Sequence, residues 1–503
     1  MKRNCVTAAI SICMAGLAAD ASAVNLSSNG LGQVLIYPYY TVNAGQQTLL
    51  SVVNTTPVGK AVKVRFLEAY NGRDVLDFNL YLSGYDIWTA TVFALHDGGI
   101  ESDAAGIFTT DHSCTDPVAL TDSGTIATAG GSHGYQRFLD YGYTGFFEDT
   151  GPMSATRTRE GHIEMILMAN IMPGSPLSAD ITHVDGMPPH CTAAPNAEGY
   201  GPPTIDPQMG TIGGPLAAGG LFGSATIVNG AEGTFYGYNA DAIDGFSYVS
   251  LYTAAGEPLP NLASVNDRNS PLTATSHIFS NGEVLSSTFP GATAESRTID
   301  AVSSLFVADA IYNEYVTALD NSIGTDWILT FPTKRFYVDP LFLTTSTTAL
   351  PPFEELFGEA SDGQSCITFD AQVFDREENA IGVTPPPCGF NECPPVPPRE
   401  ICLETDVITF ADASVLGSEL PGQLFPSLGT GMVRLVLSGN GHDLLPASNG
   451  NIFHGLPVTG FAATKFVNGF VQLPGGGYAL ANYTAAYQHR ATSSCTNASG
   501  VCL

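Results

Sequence analysis

The chain has 503 residues and carries 18 basic against 48 acidic side chains, which gives a formal net charge of −30 at pH 7. A polyanion of this kind is repelled by nucleic acid and by anionic membrane surfaces, which excludes both as expected partners. The hydrophobic share of 44% excludes wholesale disorder, and the length exceeds what one hydrophobic core usually supports, so two or three domains are expected.

The first 23 residues have the order of a bacterial-type secretory signal. Lys2 and Arg3 precede an apolar stretch from Val6 to Ala19, and small residues lead to a predicted cleavage before Val24. No later run approaches the roughly 18 apolar residues of a membrane-spanning helix. The sequence therefore predicts an exported protein that is periplasmic, cell-surface or extracellular, with no transmembrane segment after signal removal.

The clearest structural signal is a series of β-strand patterns between Thr48 and Leu95. In the segment AVKVRFLEAY, apolar residues alternate with Lys63 and Arg65, which predicts a strand with one buried and one solvated face. Asn71-Gly72 favours a type I′ hairpin turn before the next strand, and Phe66-Leu67 predicts a bulge. Because such strands need a second apolar layer, we predict a mainly β fold of immunoglobulin-like antiparallel β-sandwich domains with long loop insertions.

Shifts in composition suggest how the chain is divided, and an apolar stripe near helical period predicts one notable helix over about 299–316. The predicted units are a signal peptide (1–23), an N-terminal β-sandwich with a loop-rich insertion (24–195), a Gly/Pro-rich linker or loop (196–220), a second β-rich region (221–384), a Pro-rich disulfide segment (385–398) and C-terminal strands (399–503) that complete an earlier sandwich.

Eight cysteines follow the predicted signal, and an even number in an exported chain favours disulfides. They are Cys114, Cys191, Cys366, Cys388, Cys393, Cys402, Cys495 and Cys502. We predict that Cys495 bonds to Cys502 and that Cys114 bonds to Cys191, which leaves three ways to pair the other four. A zinc site made by those four is the alternative, but their spacing lacks the paired knuckles of such sites.

Two aromatic stretches are candidate binding faces. Tyr135, Phe138, Tyr141 and Tyr143 lie in a Gly-rich segment whose rings would stack on sugars; the alternative is that they cover a sheet edge. The tyrosines between Tyr37 and Tyr40 offer a second face, although tyrosines in strands more often serve in packing.

The metal-binding candidates are sparse. Asn239, Asp241 and Asp244 precede Gly245 in an order that resembles a calcium loop, and calcium is the one cofactor that the excess of carboxylates suggests; caps and turns are the plainer alternative. The segment from His183 to Cys191 is the densest group of transition-metal ligand types, but it lies in a proline-rich loop.

Two further pairs of charged or titratable side chains are candidate functional residues. His162 and Glu164 are two residues apart in a predicted strand and so share one face. Lys334-Arg335 is the only adjacent basic pair after the signal. It would either recruit a carboxylate or point outward beside a strand end, and we favour the outward orientation.

The local signatures of hydrolases, nucleotide-binding proteins and metalloproteases do not occur in the sequence. We therefore expect no enzyme, but a secreted or cell-surface structural and assembly protein of the bacterial envelope that associates with itself or with a cell-surface partner. The first alternative is an adhesin-like module that binds carbohydrate or protein. The second is a secreted hydrolase with a carboxylate pair, since that chemistry needs only two carboxyl groups at the right separation.

Overall fold

A computed structural model describes residues 23–117, 120, 123–128, 130–191, 209–210, 219–268, 270, 272–280, 282–291, 297–318, 320, 322–343, 346–358, 363–381, 400–410, 413–424, 429–439, 441–480 and 482–502. Strands account for 48% and helices for 10%, and the strands form several antiparallel sheets. The predicted mainly β fold is therefore confirmed. The immunoglobulin-like assignment stays a prediction.

Two large sheets, which we call A and B, form the first sandwich. Sheet A has the order β1-β15-β2-β11-β4-β5-β8, with β12 paired to β11, and sheet B has the order β14-β13-β3-β6-β7-β10-β9. The strands are β1 (Asn25–Leu26), β2 (Val34–Thr41), β3 (Gln47–Asn54), β4 (Gly59–Glu68), β5 (Asp74–Leu82), β6 (Ile87–Ala94), β7 (Ala105–Phe108), β8 (Cys114–Asp116), β9 (Thr125–Thr128), β10 (Gly131–Arg137), β11 (Glu160–Ile171), β12 (Met209–Gly210), β13 (Leu221–Asn229), β14 (Thr234–Asn239) and β15 (Asp241–Asp244).

Two five-stranded sheets, C and D, form the second sandwich. Sheet C has the order β23-β22-β27-β19-β34 and sheet D the order β26-β25-β20-β30-β33, while short ribbons pair β16 with β17, β18 with β29, β21 with β24, β31 with β32, and β28 with β35 and β36. The strands are β16 (Thr273–Ser280), β17 (Glu283–Pro290), β18 (Val307–Ala308), β19 (Ala310–Val316), β20 (Ile323–Thr330), β21 (Ile367–Thr368), β22 (Asp370–Asp375), β23 (Ala380–Ile381), β24 (Glu400–Ile401), β25 (Thr405–Thr409), β26 (Pro421–Gln423), β27 (Thr430–Val436), β28 (Ile452–His454), β29 (Leu456–Pro457), β30 (Phe461–Phe466), β31 (Phe470–Gln472), β32 (Tyr478–Leu480), β33 (Tyr483–Gln488), β34 (Arg490–Thr492), β35 (Ser494–Asn497) and β36 (Gly500–Val501).

Three short α-helices lie within the described residues: α1 (Pro176–Ile181), α2 (Ile299–Phe306) and α3 (Arg335–Val338). The helix predicted over 299–316 is thus correct only in its first half. From Ala310 onward the chain forms β19, which pairs with β27 and β34. Ile311 and Tyr315 are buried from this strand in the core of the second sandwich. Their β-branched and aromatic side chains favour the pleated conformation once neighbouring strands are present.

The strands predicted between Thr48 and Leu95 are confirmed as β3 to β6, and β4 and β5 form the predicted antiparallel hairpin. The register of that hairpin shifts between Phe66 and Leu67, where the bulge was predicted. The predicted type I′ turn is wrong. Gly72 has a positive φ, of 59°, but Asn71 does not. A type I′ turn needs positive values at both central residues.

Sheet A has no solvated face at its centre, contrary to the prediction for β4. Every residue of β2, β4 and β11 is buried. One face packs on sheet B around Val62, Val64 and Phe66. The other face is covered along β4 by a later segment, to which Lys63 donates a hydrogen bond of 2.7 Å at the carbonyl of Ala254. The alternation of charge in β4 therefore marks two different buried environments.

The remainder of that second face of sheet A packs against the second sandwich. Val34, Ile36 and Ile166 of sheet A lie in one apolar cluster with Trp327 of sheet D and Leu435 of sheet C. Sheet A is consequently a layer that both hydrophobic cores share, and its central strands are buried on both faces, as in sheets that are covered on both sides.

The strand pairings also revise the predicted division of the chain. Strands β13 to β15, which lie at 221–244, complete sheets A and B and so belong to the first sandwich rather than to a second region. The C-terminal strands pair with β19 and β20 and so complete the second sandwich. The predicted linker over 196–220 and the Pro-rich segment over 385–398 lie almost entirely outside the described residues.

Three disulfides lie in the described part of the chain. They join Cys114 to Cys191, Cys366 to Cys402, and Cys495 to Cys502. The first and last are the pairs predicted from the sequence, and the Cys366–Cys402 bond excludes the zinc alternative that needed all four thiolates. Cys388 and Cys393 lie outside the described residues.

The two predicted disulfides close loops of different length, which gives the first testable prediction. The Cys114–Cys191 bond spans 77 residues and the Cys495–Cys502 bond spans 7. In the chain-entropy treatment, changing both partners to serine costs about 4.5 kcal/mol of unfolding free energy for the long loop and about 2.4 kcal/mol for the short one. Denaturant titration of the two double-serine variants checks this, and equal losses would contradict the loop-length account.

Candidate interaction surface

The most concentrated chemistry in the molecule is a set of charged side chains buried where the two sandwiches meet. Arg335 of α3 donates to Glu164 of β11 at 2.6 Å and to Glu404, which precedes β25, at 2.9 Å. His162 lies 3.9 Å from both carboxylates. None of these side chains is more than 1% exposed. The predicted sharing of a face by His162 and Glu164 is therefore confirmed, in an environment closed to solvent.

One guanidinium cannot balance two carboxylates in a site of low polarity, and the pKa values separate accordingly. Burial raises the pKa of Glu164, but Arg335, His162 and Arg65 together outweigh burial and bring the pKa to about 2. For Glu404 burial prevails and raises the pKa to about 8, with Arg335 offsetting only part of the effect. Burial likewise lowers the pKa of His162. At neutral pH this group is thus an ion pair with a protonated carboxyl and a neutral imidazole beside it.

A second buried group continues the same junction. Glu68 at the end of β4 accepts hydrogen bonds from Arg157, whose guanidinium also contacts Asp149 at 2.5 Å. In the β4–β5 turn, Arg73 donates to Asp339, which follows α3, at 2.6 and 2.9 Å. Since Asp339 belongs to the second half of the chain, this bidentate pair fixes the position of one sandwich relative to the other.

The interior therefore holds an unusual share of the positive charge of the chain. Seven basic side chains among the described residues are buried: Lys60, Lys63, Arg65, Arg73, Arg157, Lys334 and Arg335. The outward orientation predicted for Lys334-Arg335 is wrong, because Lys334 donates to three backbone carbonyls, those of residues 365, 402 and 403. Nine acidic side chains are also buried among the described residues, so the exterior keeps the strongly acidic balance of the whole chain.

Breaking the Arg335 group is expected to destabilise the protein strongly. In Arg335→Met the Glu164 carboxylate stays buried without its cation, and the loss of a partner from such a pair costs about 3–5 kcal/mol. Chemical denaturation measures the difference, and Arg335→Lys, which keeps the charge, is expected to lose less. Arg376→Met at an exposed arginine is the control, with a change below about 0.5 kcal/mol. Equal effects at both arginines would contradict this role for Arg335.

Glu404 also makes stability depend on pH. Its pKa is about 8 in the fold against 4.5 for an ordinary glutamate, so between these values the folded state holds a proton that the unfolded chain has released. The unfolding free energy should therefore fall by about 1–2 kcal/mol as the pH rises from 6.5 to 8. In Glu404→Gln that fall should disappear. Glu257→Gln, at an exposed glutamate, should keep it, and a wild-type protein that gains stability over this range would contradict the assignment.

The aromatic candidates do not form a binding face. Tyr135, Phe138 and Tyr143 are buried, and only Tyr141 is exposed, at 43%. Phe138 packs on Phe66 in the first core at 4.9 Å, and the Tyr143 ring lies under the Arg157 guanidinium. The tyrosines between Tyr37 and Tyr40 are likewise buried, which agrees with packing, the alternative given for that stretch.

The calcium candidates are separated by the fold. Asp241 and Asp244 lie in the strand β15, and three positions along a strand bring their side chains to opposite faces. Asp241 accepts hydrogen bonds from Thr459 and from Gln488, while Asn239 is exposed at the end of β14. A calcium loop needs these oxygen ligands to converge around a tight turn, and the strand β15 does not provide such a turn.

In the group between residues 183 and 191, Cys191 is bonded to Cys114 and has no thiolate to offer a metal. His183 and His190 contact separate carboxylates, Asp86 at 3.7 Å and Asp180 at 3.4 Å. Cys366, Glu400 and Cys402 also lie close together, but the two cysteines are bonded to each other and offer no thiolate to a metal ion.

The surface that differs most from the rest of the molecule is formed by the end of the chain. Residues 444–503 contain no aspartate or glutamate, although the protein carries 48, and they include only two basic residues, Lys465 and Arg490. This signal is readable from the sequence alone, but it was missed because the charge was considered for the whole chain. A charge count by segment would have found it.

Within this acid-free segment, the ribbon of β31 and β32 presents apolar side chains to solvent. Phe470 is 72% and Tyr478 is 69% exposed, and their register places both on one face of the ribbon together with Leu480. On the adjoining part of sheet D, Tyr483 is 60% exposed. We call the exposed apolar side chains of residues 466–487 the hairpin surface. Contiguous apolar exposure of this kind marks interaction sites.

The base of the ribbon is fixed to the first sandwich. Lys465 pairs with Glu232 at 3.0 Å, and the side-chain amide of Asn482 donates to the Glu232 carbonyl at 2.9 Å. Leu480 lies against Gly233, where a Cβ would approach it to 3.1 Å. The Glu232 carboxylate at this base is thereby neutralised, and the ribbon projects from a defined position.

Comparison with protein-family models, with curated proteins and with solved structures gives no match for this chain. None of the helices in the described part of the chain has the length and apolar character that crossing a bilayer requires. The function is therefore argued from the geometry and charge of these surfaces.

Proposed function

We propose that the chain is an exported, non-enzymatic structural protein of the bacterial envelope or cell surface that assembles with copies of itself through the hairpin surface. The observation that carries the proposal is the coincidence of exposed apolar side chains with the longest stretch of the sequence that lacks acidic residues. Two molecules of charge −30 repel each other, and the repulsion is smallest where neither contributes a carboxylate.

A second copy fits the hairpin surface better than other occupants do. An isolated two-stranded ribbon with strands of three residues is only marginally stable in water, so it gains from packing on another element. Two ribbons related by a two-fold axis would place the Phe470 and Tyr478 faces against each other, as an isologous contact requires. An anionic membrane is disfavoured by the charge of the whole molecule.

The export part of the proposal has independent support. Three disulfides among the described residues are compatible with an oxidising compartment, where such bonds form and persist. The signal pattern over residues 1–23 gives the route out of the cytoplasm, and it lies outside the described residues except for Ala23. The buried carboxylates near Arg335 are closed to substrate, which lowers the hydrolase alternative for that site.

Self-association should be visible in solution. In sedimentation velocity over a concentration series, the oxidised mature protein should form dimers or larger species, and Phe470→Ser/Tyr478→Ser should weaken association at least tenfold. Phe146→Ser/Tyr85→Ser is the matched control, since it removes a phenylalanine and a tyrosine that are 94% and 70% exposed elsewhere. Added salt should strengthen the contact, because it screens the repulsion between the two polyanions.

The effect of calcium distinguishes association through the apolar hairpin surface from association through calcium ions that bridge carboxylates. The hairpin surface offers no carboxylate, so the mass should be the same with calcium and with chelator. A monomer at all concentrations, equal association of the two double variants, or loss of association on chelation would each contradict the proposal. If the monomer instead binds neutral lipid vesicles through Phe470, the partner of the hairpin surface is a membrane and not a second copy of the chain.

A further inference from the structure

The outer face of sheet B is a second unusual surface, and it lies on a different part of the molecule from the projecting ribbon. Its five neighbouring strands β14, β13, β3, β6 and β7 contain no charged residue on either face. The inner face packs in the first core, as burial of Leu50, Val52, Trp88 and Val92 shows. The outer face is covered at Phe93 by a small apolar cluster, and the rest of it meets solvent without the lysines and glutamates that usually cover such a sheet.

The register of these strands aligns hydroxyl groups across the sheet. One cross-strand row runs through Asn239, Ser224, Ser51 and Thr89. The row beside it runs through Thr226, Leu49, Thr91 and Phe108. Neighbouring strands lie about 4.8 Å apart, so the rows present polar groups at a regular repeat.

The two rows line a shallow, open cavity of about 270 Å³. Within it, the hydroxyls of Ser51 and Ser224 are 3.2 Å apart. Among the described residues, none forms a hydrogen bond with the hydroxyls of Thr89, Thr91 or Thr226. These three hydroxyls are therefore available to a ligand, and Leu49 at 42% exposure supplies apolar contact between them.

The chemistry of the face restricts what it would bind. A hydroxyl both donates and accepts, so a row of them matches a ligand that carries hydroxyls itself. A charged ligand would find no counter-charge on these strands. A dry protein interface would bury the threonine hydroxyls without partners, which costs free energy for each one. The regular repeat over four strands suits a repeating polymer better than a single small molecule.

We infer that the outer face of sheet B binds an uncharged, hydroxyl-rich polymer, namely a neutral polysaccharide, with Thr89, Thr91 and Thr226 as hydrogen-bonding groups and Leu49 as the apolar contact for a sugar ring face. This inference does not depend on self-association through the hairpin surface. It also places carbohydrate recognition away from the aromatic stretch at 135–143, where the sequence had suggested it.

Calorimetric titration of the mature protein with hexasaccharides of glucose, N-acetylglucosamine and mannose, at millimolar concentration, tests the inference. At least one should bind, and polygalacturonate, an anionic polymer, should not. Thr91→Lys and Thr226→Lys, which place a long charged side chain in the middle of the row, should each weaken binding at least tenfold. Thr125→Lys, on the exposed strand β9 at the far edge of the same sheet, should bind as the wild type does.

Three results would overturn the inference: no neutral hexasaccharide binds, binding is equal in Thr91→Lys, Thr226→Lys and Thr125→Lys, or polygalacturonate binds as tightly as the neutral sugars. Thermal unfolding of each variant verifies that the fold is kept, as expected for exposed positions. The Phe470→Ser/Tyr478→Ser variant should bind sugar normally, so failure of self-association and failure of sugar binding remain distinguishable.

Discussion

The burial of both faces of sheet A is the constraint on which the rest of the structure depends. One face closes the first core, and the other must be satisfied by elements from the second half of the chain. Where that second face is apolar, around Ile36 and Ile166, it shares a core with Trp327. Where it is charged, around Glu164, an arginine from α3 supplies the balancing cation. The two sandwiches are consequently joined by matched chemistry where β2 and β11 of sheet A face the second half of the chain.

This junction also shapes the exterior. A chain with only 18 basic residues that buries seven of them has few cations left to moderate an acidic surface. Surfaces that lack carboxylates then stand out physically, since they are the places where uncharged partners approach at least electrostatic cost. The outer face of sheet B and the hairpin surface are two such places. The sheets that carry them contact each other where the hydroxyl of Thr484 in β33 donates to the carbonyl of Phe235 in β14.

Local pattern was informative wherever local forces decide the structure. Alternation predicted β3 to β6 and the pairing of β4 with β5, and a pair of adjacent apolar residues predicted the bulge at Phe66-Leu67. The helix over 299–316 failed because the same residues satisfy a helical stripe and a strand, and pairing of β19 with two distant strands favoured the strand. Of the interaction surfaces, the absence of acidic residues after Asp443 was present in the sequence but was not recognised.

The sequence by itself determined the mainly β class, two of the disulfides, the strand periods and the overall charge, because each follows from residue types and short spacings. Only the tertiary structure decided that Lys63, Arg65, Lys334 and Arg335 are buried, since their partners lie far away along the chain. It likewise decided that threonines from β6 and β13 align across β3 into rows. Strand register and side-chain burial depend on which distant segments pair and pack together, and no local sequence pattern specifies those partners.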